Sequence, residues 1–383
     1  MGGSHITTLR MKRLFYKEYR QLPIYFLIVV VVISCKKVYY APHEITAPET
    51  VPHYDLLLSD LSIDCLGANS ILAVDSMLVI FSSDKKSMIQ VYNFNGDSLA
   101  KLSPSGRASN EFIKVQYAWR NTVINGERYL YLLDSSNGQY YLYNLTGSLK
   151  KGANIKPEKK LKRERHVSDV LFRDDGSYFQ YKGVSYDDPR DMIFYPPEYS
   201  LIDANNKTRK FEIYPNLVSF SSSEDFATQF YFSVVRLSDD GNKAIEVALY
   251  QDRMTFIDLE SGDMFGLRCN DFIDPKELAD ATIEEIANLC VRGVRQVVPF
   301  NDLLFILYDH RTLYEEEVLG KQPTTSIRVF TWSGEYIAEL NPSISISDIT
   351  IDKRSGNLLA MDENEKFYIT NLSNILNDLY TDK

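Results

Sequence analysis

The sequence predicts an all-β chain folded as a closed ring of antiparallel sheets. Three observations predict it. Aromatic residues make up 13% of the 383 residues, with 26 Tyr and 20 Phe, and these side chains favour pleated, half-buried strands. A strand–turn–strand phrase recurs along the chain, clearest in Val91-Tyr92-Asn93-Phe94-Asn95-Gly96-Asp97-Ser98-Leu99-Ala100-Lys101-Leu102. A spare strand, Tyr54–Ile63, precedes the first repeat, whereas the last repeat stops one strand short. Pairing the spare strand into the last sheet closes the ring and covers an edge that would otherwise template aggregation.

The elements follow in order. The first unit holds two apolar strands around Asp75-Ser76 within residues 70–82, then the phrase above. Its Asn95-Gly96 predicts a type I′ turn, because both residues tolerate positive φ. The second unit has Tyr129–Asp134 and a hairpin phrase through Tyr141–Leu149. The third has Val167–Phe172, a turn at Asp175-Gly176, Tyr178–Lys182, and a phrase from Tyr199 to Tyr214. The fourth has Phe232–Leu237, a turn at Asp240-Gly241, Ala244–Tyr250 and Met254–Asp263. The fifth has Val294–Val298, Leu303–Tyr308 and Ile327–Leu340. The sixth has Ile346–Ile351, a turn at Ser355-Gly356, Leu358–Met361 and Lys366–Leu372. Spacings of this size suit four-stranded blades, so the expected fold is a six-bladed β-propeller spanning residues 54–383. Asp274–Leu289 predicts a helical insertion between blades four and five. Asp274 caps it, Pro275 occupies the first turn, and Leu278, Ile283, Ile286 and Leu289 form an apolar face.

Residues 1–34 read as a signal peptide. Arg10, Lys12, Arg13, Lys17 and Arg20 precede an apolar run, Ile24–Ile33, about half the ~20 residues a membrane span needs. Met11 is the expected start of translation. Val32-Ile33-Ser34-Cys35 resembles a bacterial lipobox. That resemblance implies lipidation of the Cys35 thiol, cleavage before Cys35, and a membrane anchor of several acyl chains. Residues 35–53, with three prolines after Lys36-Lys37, read as a lipidated tether. The expected location is the cell envelope, facing the periplasm.

Gly106-Arg107 and Glu111-Phe112, with Val329-Phe330-Thr331-Trp332-Ser333-Gly334 and Ile349-Thr350-Ile351-Asp352, resemble loop and blade patterns of NHL and TolB-like propellers. Ala108, Ser109 and Asn110 replace the Gly-Pro-Gly of that loop. Together with the lipobox, the chain resembles the TolB-like six-bladed propeller lipoproteins of Bacteroidetes. This resemblance implies the fold and the anchor and assigns no activity.

Catalytic chemistry is sparse in the sequence. The formal net charge is −10, which disfavours nucleic acid as a partner. His166 and His310 are the only histidines in residues 54–383, and no Gly-x-Ser-x-Gly elbow is present. Both histidines read as surface-loop residues. Asp134, Asp187, Asp188, Asp309 and Glu315 are the carboxylates that a glycan- or peptide-cleaving site at the propeller mouth would use, although they read first as turn formers. Cys35, Cys65, Cys269 and Cys290 contain no CxxC, and either a Cys269–Cys290 pair or buried free thiols fits them. Lys150, Lys151, Lys156, Lys159, Lys160, Lys162, Arg163 and Arg165 read as a solvated loop between blades two and three. No cofactor or metal motif is apparent. The function expected is a non-enzymatic binding module that takes a protein, peptide or glycan at the propeller face. An envelope hydrolase or lyase is the alternative.

Overall fold

The computed structural model describes residues 39–164, 167–185, 193–221 and 230–381. It is a six-bladed β-propeller of antiparallel blades, formed by residues 42–213 and 217–381. Residues 39–41 form a small unit with Tyr214–Asn216, in which the Tyr40 and Tyr214 rings lie 5.8 Å apart. The proposed leader, Cys35 and the tether up to residue 38 lie outside the described residues, as do His166, Asp187 and Asp188.

Three short strands lead the chain: β1 (His43–Thr46), β2 (His53–Leu56) and β3 (Ser59–Leu61). Blade one is β4 (Ala68–Val74), β5 (Met77–Ser82), β6 (Ile89–Asn93) and β7 (Ser98–Leu102). Blade two is β8 (Val115–Ile124), β9 (Glu127–Asp134), β10 (Gln139–Asn144) and β11 (Glu158–Lys162). Blade three is β12 (Val167–Phe172), β13 (Tyr178–Ser185), β14 (Ile193–Ile202) and β15 (Thr208–Phe211). Blade four is β16 (Ser233–Leu237), β17 (Lys243–Ala248), β18 (Arg253–Asp258) and β19 (Met264–Arg268). Blade five is β20 (Val291–Phe300), β21 (Leu303–Thr312), β22 (Thr325–Thr331) and β23 (Tyr336–Pro342). Blade six is β24 (Asp348–Ile351), β25 (Asn357–Met361) and β26 (Phe367–Asn371), completed by β3.

Closure differs from the expected single strand. Only Ser59–Leu61 pairs antiparallel with β26. His53–Leu56 instead adds parallel to β23, and His43–Thr46 adds parallel to β19. Blades four and five therefore have five strands, and chain assigned to the tether belongs to the propeller from His43 onward. The leading segment covers the outer edges of three successive blades, so each of those edges has a partner for its backbone groups. The inner seam is joined by side chains. Asp348, Thr350 and Asp352 alternate along blade six and share a face, as a period of two requires. They accept from the backbone N–H groups of Ile71 (3.0 Å), Ala73 (2.9 Å) and Ser76 (3.2 Å).

The turns also correct the sequence reading. Asp75 and Ser76 both have positive φ, at 50° and 62°, the pattern of a two-residue I′ turn. At Asn95-Gly96 only Gly96 is left-handed, at 88°. Asn93 Oδ1 accepts from the N–H groups of Asn95 and Asp97 there, and the register slips by one residue. The phrase around Leu145 is no hairpin. It is a helix, α1 (Leu145–Lys151), whose N-cap Asn144 accepts from Gly147 N at 2.7 Å. The predicted insertion is present but divided. A 3₁₀ turn, Pro275–Leu278, is capped by Asp274, and α2 (Ile283–Leu289) starts afresh at Thr282 with Glu285 closing a capping box. Leu278 and Ile286 are buried, whereas Ile283 and Leu289 are exposed, so the expected apolar face is only half used. A similar short helix, α3 (Leu313–Glu317), leaves β21. A last helix, α4 (Ser373–Thr381), lays Leu376 and Leu379 on the core shared by blades five and six.

The cores lie between neighbouring blades. Val79, Phe81 and Val91 of blade one meet Leu130, Leu132 and Tyr143 of blade two. Burying side chains of this size contributes roughly 1.5–3 kcal/mol each.

Candidate functional site

Blade two supplies the irregular inner strand. Tyr117 pairs with Leu132, but the next pairing is Asn121 with Leu130. The inner strand thus carries two residues more than its partner, and the bulge pushes Ala118, Trp119 and Arg120 out of register. Trp119 sits at φ 53°, a conformation that costs a non-glycine residue about 1–2 kcal/mol. Such strain persists where the surrounding structure enforces it.

The enforcing contacts are aromatic and cationic. Phe81 stacks on Tyr117 at 5.4 Å, and Tyr117 meets Trp119 edge-on at 5.5 Å. Beyond the indole lies Arg236 of blade four, its guanidinium carbon 3.9 Å from the ring centroid. Arg236 donates to Val235 O at 2.7 Å and to Gln296 Oε1 at 2.8 Å. Gln296 of blade five donates in turn to Asp348 Oδ1 of blade six at 2.9 Å. Burial pushes the Asp348 carboxyl up to about 6, against hydrogen bonds that favour its charged form. Burial likewise raises the Asp169 carboxyl on blade three and lowers Arg236 to about 10, so Arg236 is still a cation at neutral pH.

Trp119 and Arg236 lie deep in a cavity of about 270 Å³ at one end of the central channel, and all six blades line it. Ile71, Ala73, Val297, Ile349 and Ile351 also border it, with side chains buried in the cores between blades. The rim is ionic. Arg120 donates to Asp174 at 3.1 Å and to the carbonyls of Ser238 and Asp239. Arg128 holds Asp75 at 2.7 Å, and Lys353 pairs with Asp239. These residues sit on the inner strands, on the turns that follow them or, for Arg128, at the start of the second strand β9, so the ring itself gathers them at one mouth.

Of the carboxylates proposed from sequence, Asp134, Asp309 and Glu315 are not gathered there. Asp134 is buried under a turn of blade two, where it accepts from Ile113 N at 3.1 Å and Lys114 N at 3.2 Å. Asp309 is fully buried between Arg295 and Arg311, each 2.8 Å away. Burial alone would raise its carboxyl, but the bonds from Arg311 and the charge of Arg295 hold it below the ordinary value. Glu315 closes the capping box of α3 and pairs with Lys321. His310 is not a loop residue. It lies within β21, half-buried, with Nε2 2.9 Å from Ser326 Oγ. Cys65, Cys269 and Cys290 are buried free thiols. The basic run is a loop only in part: Lys156 and Arg163 lie in loop, but Lys150 and Lys151 end α1, and Lys159, Lys160 and Lys162 lie on the outer strand β11, where lysine discourages edge pairing, while Arg165 lies outside the described residues. Among the described residues no cluster of three or more His, Cys, Asp or Glu is placed to hold a metal ion.

Sequence reasoning missed Trp119, Arg120 and Arg236. The bulge removes the alternation that would have marked β8. The available signal was a Tyr-Ala-Trp-Arg run beside a lone arginine in an apolar strand.

No protein-family model and no curated protein matches the sequence. Several solved structures are similar to the chain. A DUF4221 family member from Bacteroides vulgatus is similar at 10% identity and a TM-score of 0.47, over 82% of this chain and 95% of its own. A protein provisionally named a gluconolactonase is similar at 11% and 0.46, over 84% and 93%. A Bacteroides fragilis protein provisionally named as exported is similar at 12% and 0.44, over 82% and 89%.

Proposed function

We propose that this chain is a lipid-anchored binding module of the bacterial cell envelope, of the TolB-like propeller kind, with its ligand site at the channel mouth. The observation that carries the reading is the cavity ending on Trp119 and Arg236. Six strands, a strained bulge and a cation–π stack converge on one half-open, mainly polar pocket that collects convergent charged groups, a feature expected of a ligand site. The mouth carboxylates Asp174 and Asp239 are each engaged by a cation, which suits recognition better than acid–base work. The anchor rests on the lipobox at Cys35.

Trp119 is one of two tryptophans and the only one lining this cavity, so it is a native reporter. Envelope extract, separated into small-molecule, peptide and glycan fractions, is titrated into the full chain while tryptophan emission is followed. A saturable change that disappears in Trp119→Phe supports the reading. No saturable change with any fraction, or an equal change in Trp119→Phe, overturns it. For the anchor, Cys35→Ser should release the protein from membranes or leave the leader uncleaved. Unchanged partitioning of a correctly sized mature chain overturns that part.

A further inference from the structure

The cations around the channel mouth are not equivalent. Arg120, Arg128 and Lys353 each have a carboxylate partner, in Asp174, Asp75 and Asp239. Arg236 has none. Its hydrogen bonds go to two neutral oxygens, Val235 O and Gln296 Oε1. Among the described residues no carboxylate oxygen lies within 4.0 Å of its guanidinium nitrogens. Its Nε is buried and without a partner, and the residue is only 5% exposed.

A buried charge without a paired counter-ion is costly, and proteins normally supply one. This chain has acidic residues in excess, with a net charge of −10, yet none is brought into contact with Arg236. Asp348, the carboxylate tied into the same network, is held off by the intervening Gln296 amide. The gap between Arg236 and Asp348 is therefore spanned by a neutral side chain, Asp169 acts on Arg236 only through space, and Arg236 lines the cavity.

We infer that the channel pocket binds a small monocarboxylate, whose anionic group supplies the contact counter-ion that Arg236 lacks. A planar guanidinium fork matches a carboxylate's two oxygens. A phosphate dianion would place more negative charge beside Asp348 and Asp169 than a monocarboxylate does. The volume of about 270 Å³ limits the ligand to a small molecule. This inference rests on the channel being the binding site.

The test is calorimetric titration of the full chain with benzoate, with benzamide as its uncharged isostere, and with inorganic phosphate. Benzoate is expected to bind at least about tenfold tighter than benzamide, as a charge-assisted pair at a desolvated site requires, and tighter than phosphate. Arg236→Gln should abolish that preference while leaving benzamide binding in place. If Arg236→Gln does not fold, the wild-type ratio of benzoate to benzamide decides alone. Equal binding of benzoate and benzamide overturns the charge assignment and leaves the channel-site reading standing. Phosphate binding as tightly as benzoate also overturns it, since the site then does not select a single negative charge. Absence of benzoate binding up to its solubility limit overturns it too. The envelope-fraction titration then reports separately whether the pocket binds anything else.

Discussion

Trp119 of blade two lies over Arg236 of blade four, 3.9 Å from indole centroid to guanidinium carbon, and the stack crosses the channel. The indole reaches that position only because its backbone is left-handed, at φ 53°. Side-chain replacements at this position should therefore rank unusually. Trp119→Phe retains the stack and should cost least. Trp119→Ala loses the stack and keeps the strain. Trp119→Gly loses the stack but relieves the strain, so it should be more stable than Trp119→Ala by about 1 kcal/mol. Urea unfolding of the three variants gives the order. If alanine is as stable as glycine, the bulge is not left-handed in solution.

The leading strands divide into a closing strand and two covering strands. An internal deletion of Ser59–Leu61 strips the outer edge of blade six and removes Leu61 from the core it shares with blade one. An internal deletion of His43–Thr46 removes an added fifth strand and the pairs of Glu44 with Arg268 and Arg253, but no strand of the four-stranded blade. The first should lower the melting temperature by at least twice as much as the second. Equal losses would show that closure depends on the whole segment rather than on β3.

The three buried cysteines should be inert in the folded protein. Burial pushes the Cys65 and Cys290 thiols up to about 12 and raises Cys269 well above its usual value, and the thiolate is the reactive form. A disulfide reagent at pH 8 should label none of them in the native protein and all three after denaturation. Labelling of Cys65 alone after denaturation would reveal a Cys269–Cys290 disulfide.

Much of the ring was legible because its turns are chemically explicit. Asp175-Gly176, Asp240-Gly241 and Ser355-Gly356 each join a first and second strand, and each glycine has positive φ. The leading strands His43–Thr46 and His53–Leu56 were not legible. Each has four residues and adds to the outside of a completed blade, so neither needs an apolar face of its own. The helix α1 was read as a hairpin because Asn144 followed by Gly147 imitates turn chemistry, whereas here Asn144 caps a helix. The site was hidden for a different reason. Trp119, Arg236, Gln296 and Asp348 come from four blades, and no local spacing relates them. Only closing the ring makes them neighbours.

The inner network should also tilt the protein's response to acid. Asp348 is buried and accepts from Gln296, Ile71 and Ile349. Burial raises its carboxyl to about 6 in the folded chain, against an unfolded value near 3.8. Above pH 6 both states are ionised, and the folded state bears the full cost of the buried charge. As pH falls through 6, the folded state takes up a proton before the unfolded state does, so this group adds stability until the unfolded value is reached. Between pH 7.5 and 4.5 the gain is about 2 kcal/mol. Asp348→Asn cannot titrate. It loses one acceptor, for Ile71 N, and that cost does not vary with pH. The stability of the wild type relative to Asp348→Asn should therefore rise by about that amount as the solution is acidified from pH 7.5 to 4.5. Chemical denaturation of both proteins across this range measures the difference directly. Parallel profiles would mean that Asp348 ionises normally and that the channel interior is wetter than its packing implies.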